Sequence, residues 1–216
     1  MSTLSFWDRS WQAIDAKRIS SYFEQLDRSR DEIICFLLSR DYKTVCDAGC
    51  GCGVYALKLA SFGFMVSGFD ISADAVALSQ SLLAQHGVPF DRFRTADVCA
   101  TAYTDGQFDA VVARDTLDHM PFWQAVAALG ELLRIVRPGG SVLLTLDGTD
   151  NEYEREAHTV NGDGDYLFCG GKWDGMVFHP YSPPEIARLT AGRKAKLLSA
   201  SSGSYLVAVG KEQKEA

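Results

Sequence analysis

No run in this 216-residue chain is apolar for the roughly 20 residues that a bilayer-spanning helix requires. The opening MSTLSFWDRSWQAIDAKR lacks a basic start followed by an apolar stretch, so no secretory signal is expected and a cytoplasmic location is. Positive charge is scarce. Lysine and arginine number 21 against 28 acidic residues, a net charge of −7, whereas a duplex or tRNA binder needs a basic face. The densest basic cluster, Arg188, Arg193, Lys194 and Lys196, reads as solvated surface, and no nucleic-acid partner is expected. Paired C-x-x-C knuckles are also missing. The cysteines, Cys46, Cys50 and Cys52 among them, therefore read as small hydrophobes in a reducing compartment, with neither disulfide nor metal expected. The turn NGDGDY (161–166) begins like a calcium loop, but Tyr166 and Lys172 stand where the glycine and the bidentate glutamate belong, so it reads as a polar turn between two strands.

What is present is the composition of a soluble globular domain, 47% hydrophobic and 23% charged, in a chain long enough for one full core. From Lys43 onward, strand-like runs alternate with helical ones. TVCDA is a short apolar strand and Val54–Phe62 a helix. MVSGFD (65–70) is a second strand, after which Ser72 caps a helix reaching about His86, with Ala75, Leu78 and Leu82 on one face. FDRFRTAD (90–97) contains a third strand and FDAVVA (108–113) a fourth. Phe122, Val126, Leu129, Leu133 and Val136 step at helical spacing until RPGG (137–140) stops them, and SVLLTL is a fifth strand. This alternation predicts a mostly parallel sheet with helices on both faces. SPPE (182–185) opens a last helix with a capping box. The following KLLSASS and SYLVAVGK flank Gly203 too closely for a parallel crossover and must be antiparallel.

Two segments fall outside the rhythm. Residues 1–41 read as a helical cap or lid, with Phe23, Leu26, Ile33 and Leu37 along one face and Trp7, Trp11 and Tyr22 available to cover a ligand. The domain proper is 42–216, and within it 147–181 is a long aromatic insertion of the kind that borders binding sites.

The run VCDAGCGCGVYALKLA (45–60) holds the most chemistry. Gly49, Gly51 and Gly53 allow close approach to a ligand, and Asp47, Asp70, Asp97 and Asp115 fall at or just beyond the ends of the first four strands. In open α/β sheets ligands bind at that rim. Asp70 lies about twenty residues past the loop, where a carboxylate grips ribose hydroxyls, and Asp97 is placed to accept from an exocyclic adenine amine. Asp47, directly before the loop, repels a pyrophosphate but suits an ammonium or sulfonium.

These motifs resemble the class I S-adenosylmethionine-dependent methyltransferases. DAGCGCG matches their D/E-x-G-x-G-x-G signature, GFDIS the acidic end of strand two, and TADV the adenine-side aspartate; FDAVVARDTLDHM and LLRIVRPGGSVLLT follow the strand-four and strand-five segments. Cys50–Cys52 departs from the pattern, since the second of these positions is more often small and polar. The resemblance implies a Rossmann-like, doubly wound seven-stranded sheet with an antiparallel terminal strand. It also implies S-adenosyl-L-methionine as cofactor, leaving S-adenosyl-L-homocysteine as product. Carried over by position, Asp47, Gly49, Cys50 and Gly51 lie by the methionine part, Asp70 and Ile71 by ribose and adenine, and Asp97 and Val98 by the adenine edge. Arg114 lines the pocket through its backbone. A small-molecule acceptor is expected, faced by Asp115, His119, His179 and Tyr181, with His119 the candidate acid–base residue. The alternatives are an NAD(P)-binding oxidoreductase, whose G-x-G-x-x-G is spoiled by Val54, and a protein that binds S-adenosylmethionine without catalysis.

Overall fold

The computed structural model describes residues 3–14, 19, 24, 29–149, 152–201 and 203–212; Tyr22, Phe23 and Leu26 lie outside them. A seven-stranded sheet forms the centre. Its strands are β1 (Thr44–Ala48), β2 (Met65–Asp70), β3 (Phe93–Thr95), β4 (Phe108–Ala113), β5 (Val136–Asp147), β9 (Lys194–Ser201) and β10 (Ser204–Gly210). Their order is β3-β2-β1-β4-β5-β10-β9. Every pairing is parallel except those of β10, which runs against both β5 and β9. As expected, the strand closing the sheet pattern is the reversed one, inserted beside the edge.

Period-two alternation sorts the strand side chains into two cores. Cys46, Ala48, Val111, Ala113, Val142, Leu144 and Val207 face α5 (Phe122–Ile135) and α6 (Pro183–Leu189). Val45, Ala110, Val112, Leu143, Leu206 and Ala208 face α2 (Glu32–Ser39), α3 (Val54–Ser61) and α4 (Ala73–Gln85). Helices thus cover both faces, and α2, within the expected 1–41 cap, packs Ile33, Ile34 and Leu37 into the second core.

Local chemistry sets several boundaries. Ser72 and Ser182 accept hydrogen bonds from Ala75 N and Glu185 N at the starts of α4 and α6. Pro183 supplies the fixed φ of a first helical position. Two expectations shift. The buried stripe of α5 is Phe122, Ala125, Ala128, Leu129, Leu132 and Ile135, leaving Val126 and Leu133 half-buried, because alanines let the helix approach the sheet closely. RPGG does not separate helix from strand: β5 begins at Val136, and a register shift between Phe108 and Ala110 absorbs the extra residues.

Within 147–181, β6 (His158–Val160), β7 (Tyr166–Phe168) and β8 (Val177–Phe178) form a small antiparallel sheet, and residues 161–165 make the polar turn joining its first two strands. Its aromatic core of Phe168, Met176 and Phe178 also takes in Phe6 from α1 (Thr3–Gln12). No helix among the described residues is long and apolar enough to cross a membrane.

Candidate active site

Strand order reverses between β1 and β4, so the chains leaving their carboxyl ends diverge and open a crevice. The glycine loop fills one side of it. Its amides are spent inside the protein: Gly49 N and Cys50 N both donate to Phe69 O at 2.9 Å, Gly51 N to Asp70 Oδ2 at 2.9 Å, and Gly53 N to Cys50 O at 2.9 Å. A phosphate cradle requires those N–H groups to point outward. Here they point inward. The loop is a tight backbone surface, with Gly51 at φ 50° and so close to Trp11 of α1 that an added Cβ would stand 2.8 Å from its ring.

Asp47 lies beneath the loop, 2% exposed, and its Oδ2 has no hydrogen-bond partner. Burial pushes its carboxyl up to about 7, against the pull of Arg114 and with a further push from Asp70. An orphaned buried carboxylate oxygen beside bare backbone fits a cation and does not fit a pyrophosphate. Asp70 closes β2 with one oxygen on Gly51 N and the other on Ser72 N at 2.9 Å. Burial raises its pKa, and those backbone donors oppose the rise. The backbone bonds fix its orientation while leaving lone pairs for further donors. Asp97 is exposed and steadied by Cys99 N at 2.8 Å.

A cleft of about 730 Å³, open mouth included, runs along this rim. Gly49, Asp70, Ile71, Asp97 and Val98 line one end; Asp115, Thr116, His119, Met120 and Gln124 line the rest, under Trp7 and Trp11. His119, 7% exposed, sits in the 3-10 turn 117–119 with Trp7, Tyr153 and Phe178 rings centred 5.0, 5.7 and 5.9 Å away. Burial drives its pKa down to about 4, so the imidazole is neutral at pH 7. Asp115 adopts a left-handed φ of 48°, held by Thr145 Oγ1, which accepts from its amide at 2.9 Å and donates to its Oδ1 at 2.7 Å.

Other expected site residues lie away from the cleft wall. Asp47 is buried beneath the loop, Cys50 and Gly51 belong to the loop without lining the cleft, and the Arg114 guanidinium lies 4.3 Å over the Tyr55 ring. His179 and Tyr181 require a correction. Each is 1% exposed and neither lines the cleft. His179 Nδ1 pairs with Asp165 Oδ1 at 2.8 Å, and the same oxygen accepts from Phe122 N at 3.0 Å. Tyr181 N donates to Asp147 O at 2.8 Å, and its ring packs near Phe122 and His179. Together they pin the insertion to the start of α5. Thr116, Met120 and Gln124 also line the cleft and were not expected; the available signal was that the segment from the end of β4 to the first turn of α5 leaves the same rim as Asp115.

α1 spans the cleft's two sides. Gln12 Nε2 donates to Asp74 Oδ2 on α4 at 2.9 Å, and Arg9 Nη2 donates to Asp174 O in the insertion at 2.9 Å.

Comparison with known proteins matches residues 45–140 to the sequence model of a methyltransferase domain. A ubiquinone biosynthesis O-methyltransferase of Paraburkholderia xenovorans (strain LB400) is 33% identical over 103 residues, 48% of this chain and 44% of that protein. The chain thus spans under half the length of the curated relatives it matches. Among solved structures, a SAM-dependent methyltransferase from Methanosarcina mazei superposes with a TM-score of 0.66 at 21% identity, covering 86% of this chain and 100% of that one. Magnesium protoporphyrin IX methyltransferase from Synechocystis PCC 6803, solved with bound SAM, gives 0.57 at 21% identity, covering 84% and 77%. Both likenesses concern the fold.

Proposed function

We propose, from the premise that residues 45–140 form a class I S-adenosylmethionine-dependent methyltransferase domain, that this chain transfers a methyl group from S-adenosylmethionine to a small-molecule acceptor. The observation that carries this reading is the unpartnered Asp47 Oδ2 under a glycine loop whose amides at 49, 50, 51 and 53 are already bonded. A dinucleotide would bring a pyrophosphate to that carboxylate, beside a loop whose glycine amides are already engaged within the protein. A ligand bearing an ammonium and a sulfonium meets a complementary charge.

In this reading Asp47, buried beneath the loop, attracts the ammonium through its charge, Asp70 takes the ribose hydroxyls, and Asp97 accepts from the adenine amine between Ile71 and Val98. The cofactor contributes a methyl group on a positively charged sulfur with a good leaving group attached. The protein's task is then alignment and exclusion of water, and alignment alone is worth about 7–11 kcal/mol of barrier. Trp7 and Trp11 roof the cleft, and Met120, Thr116 and Gln124 offer an acceptor a mixed apolar and polar wall. His119 contributes a neutral wall at pH 7. An imidazole so weakly basic removes a proton inefficiently, so the acceptor atom must arrive with its lone pair free or be deprotonated by another group.

Titration calorimetry tests the reading. S-adenosylhomocysteine should bind and NAD should not, and Asp70→Asn should weaken S-adenosylhomocysteine at least about tenfold, matching the loss of a charge-assisted hydrogen bond. Tight NAD binding with no response to either adenosyl ligand overturns it.

A further inference from the structure

We propose that Asp115, Asp118 and Asp147 hold a divalent cation at the wall of the cleft. This inference rests on the three carboxylates themselves and not on the methyl-transfer reading. The sheet brings them together. β4 and β5 pair in parallel with Ala113 opposite Leu144, so their carboxyl ends emerge side by side. Asp115 follows β4 by two residues, Asp147 ends β5, and the 3-10 turn 117–119 carries Asp118 back toward both. One oxygen from each lies within 4.8 Å of the other two. Oxygen ligands bind magnesium and calcium at about 2.0–2.6 Å, so a single cation bridges pairs separated by about 3–5 Å.

Asp118 is the independent sign. It is 0% exposed, and neither of its carboxylate oxygens has a hydrogen-bond partner. Buried carboxylates are normally paired or ligating. Its nearest charges are like ones, those of Asp115 and Asp147, which worsen its position. The amides of Asp118 and Asp147 approach closely enough to moderate this without reaching hydrogen-bond geometry. Protonation removes the charge and still leaves both oxygens without a donor. Arg114 Nη2 reaches Asp115 Oδ2 at 3.9 Å, but no ion pair reaches Asp118 or Asp147 among the described residues.

A cation gives Asp118 the partner it lacks and neutralises the like charges of Asp115 and Asp147 beside it. An all-carboxylate donor set selects hard ions, magnesium, manganese or calcium, over the softer metals that favour nitrogen and sulfur. Asp115 also lines the cleft, so the ion has a buried side closed by Asp118 and an open side available to water or to an oxygen-bearing ligand. Thr145 already holds Asp115 in the strained backbone that turns it toward this point.

Manganese binding to the full chain, followed by loss of the free-ion electron paramagnetic resonance signal, provides the test. One Mn²⁺ should bind per chain and be displaced by Mg²⁺ or Ca²⁺. Asp118→Asn and Asp147→Asn should each weaken Mn²⁺ at least tenfold. Melting supplies a second readout: Mn²⁺ should raise the transition of the native chain but not of Asp118→Asn, whose metal-free form should melt no lower than the metal-free native chain because an unpartnered buried carboxyl beside two other carboxylates is gone. Should either of these variants fail to fold, Asp115→Asn at the exposed edge decides, again with a loss of at least tenfold. No Mn²⁺ bound at millimolar concentration, or binding unchanged in every variant that folds, overturns the proposal.

Discussion

Asp47 offers the sharpest prediction at the scale of a single residue. Its carboxyl is pushed up to about 7 chiefly by burial, so the ligand-free protein holds the proton more tightly than the unfolded chain does. Stability from this group is therefore highest at low pH and is lost as pH rises from about 4 through 7. A bound ammonium reverses the preference by supplying the missing countercharge. Affinity for S-adenosylhomocysteine should then climb between pH 5.5 and 7.5, a window that ends before an α-amino group gives up its proton at about 8. Calorimetry across that range on the native chain and Asp47→Asn checks it; equal slopes in the two proteins would remove Asp47 from the ligand's reach. The sequence made the aspartates' rank on the rim visible through their positions at strand ends. It did not show that the loop amides turn inward, since backbone orientation follows from φ values that glycine leaves open. Nor did it show that His179 is paired with Asp165, a contact between residues 14 apart that only the folded insertion creates.

Among the elements, strands were the most legible, because short apolar runs bounded by glycine and aspartate have few other readings: β1, β2 and β4 occupy the expected residues. The stripe of α5 was read correctly at Phe122 and Leu129 but one position off at Val126 and Leu133, since four- and three-residue steps through large side chains overlook the alanines that face the sheet. The small sheet in 158–178 was legible only at its polar turn; its strands are two or three residues long and owe their order to an aromatic cluster shared with Phe6. That sharing gives α1 a testable role. It roofs the cleft with Trp7 and Trp11, reaches α4 through Gln12 and reaches the insertion through Arg9. The two sheet-facing cores contain no described side chain of α1 apart from Trp11 packed at the margin of one. Deleting residues 1–14 should leave a folded sheet by circular dichroism, weaken S-adenosylhomocysteine several-fold and speed proteolysis within 152–178. Full affinity together with unchanged cleavage would make α1 packing alone.

Across the whole molecule, the two ends of the parallel strands do different work. The carboxyl end gathers buried and strained acids, Asp47, Asp70, Asp115 and Asp118, at a cost to stability. The amino end spends its acids on holding the sheet together. Asp109 Oδ2 accepts from Lys43 N and Thr44 N at 2.8 Å and from Thr44 Oγ1 at 3.0 Å, while Oδ1 pairs with Arg137, so one carboxylate joins the starts of β1, β4 and β5. Glu131 does the same for the segment before β4, binding Thr101 N at 2.9 Å and Arg134 Nε at 2.7 Å. These bonds outweigh the opposing effect of burial and bring Asp109 and Glu131 down to about 2. Here the sign is opposite to that of Asp47. Depressed carboxylates stabilise the fold above their ordinary values near 4, and that contribution disappears as pH falls from about 4 towards 2. Urea midpoints should therefore drop steeply over that range in the native chain. Asp109→Asn should lower the midpoint at pH 7 and flatten its fall below pH 4, since the variant has one fewer proton to gain on unfolding. Its affinity for S-adenosylhomocysteine at pH 7.5 should not change, because the substitution lies at the far end of the strands from the cleft. A variant whose midpoint ran parallel to the native one down to pH 2 would show that Asp109 adds nothing to acid stability.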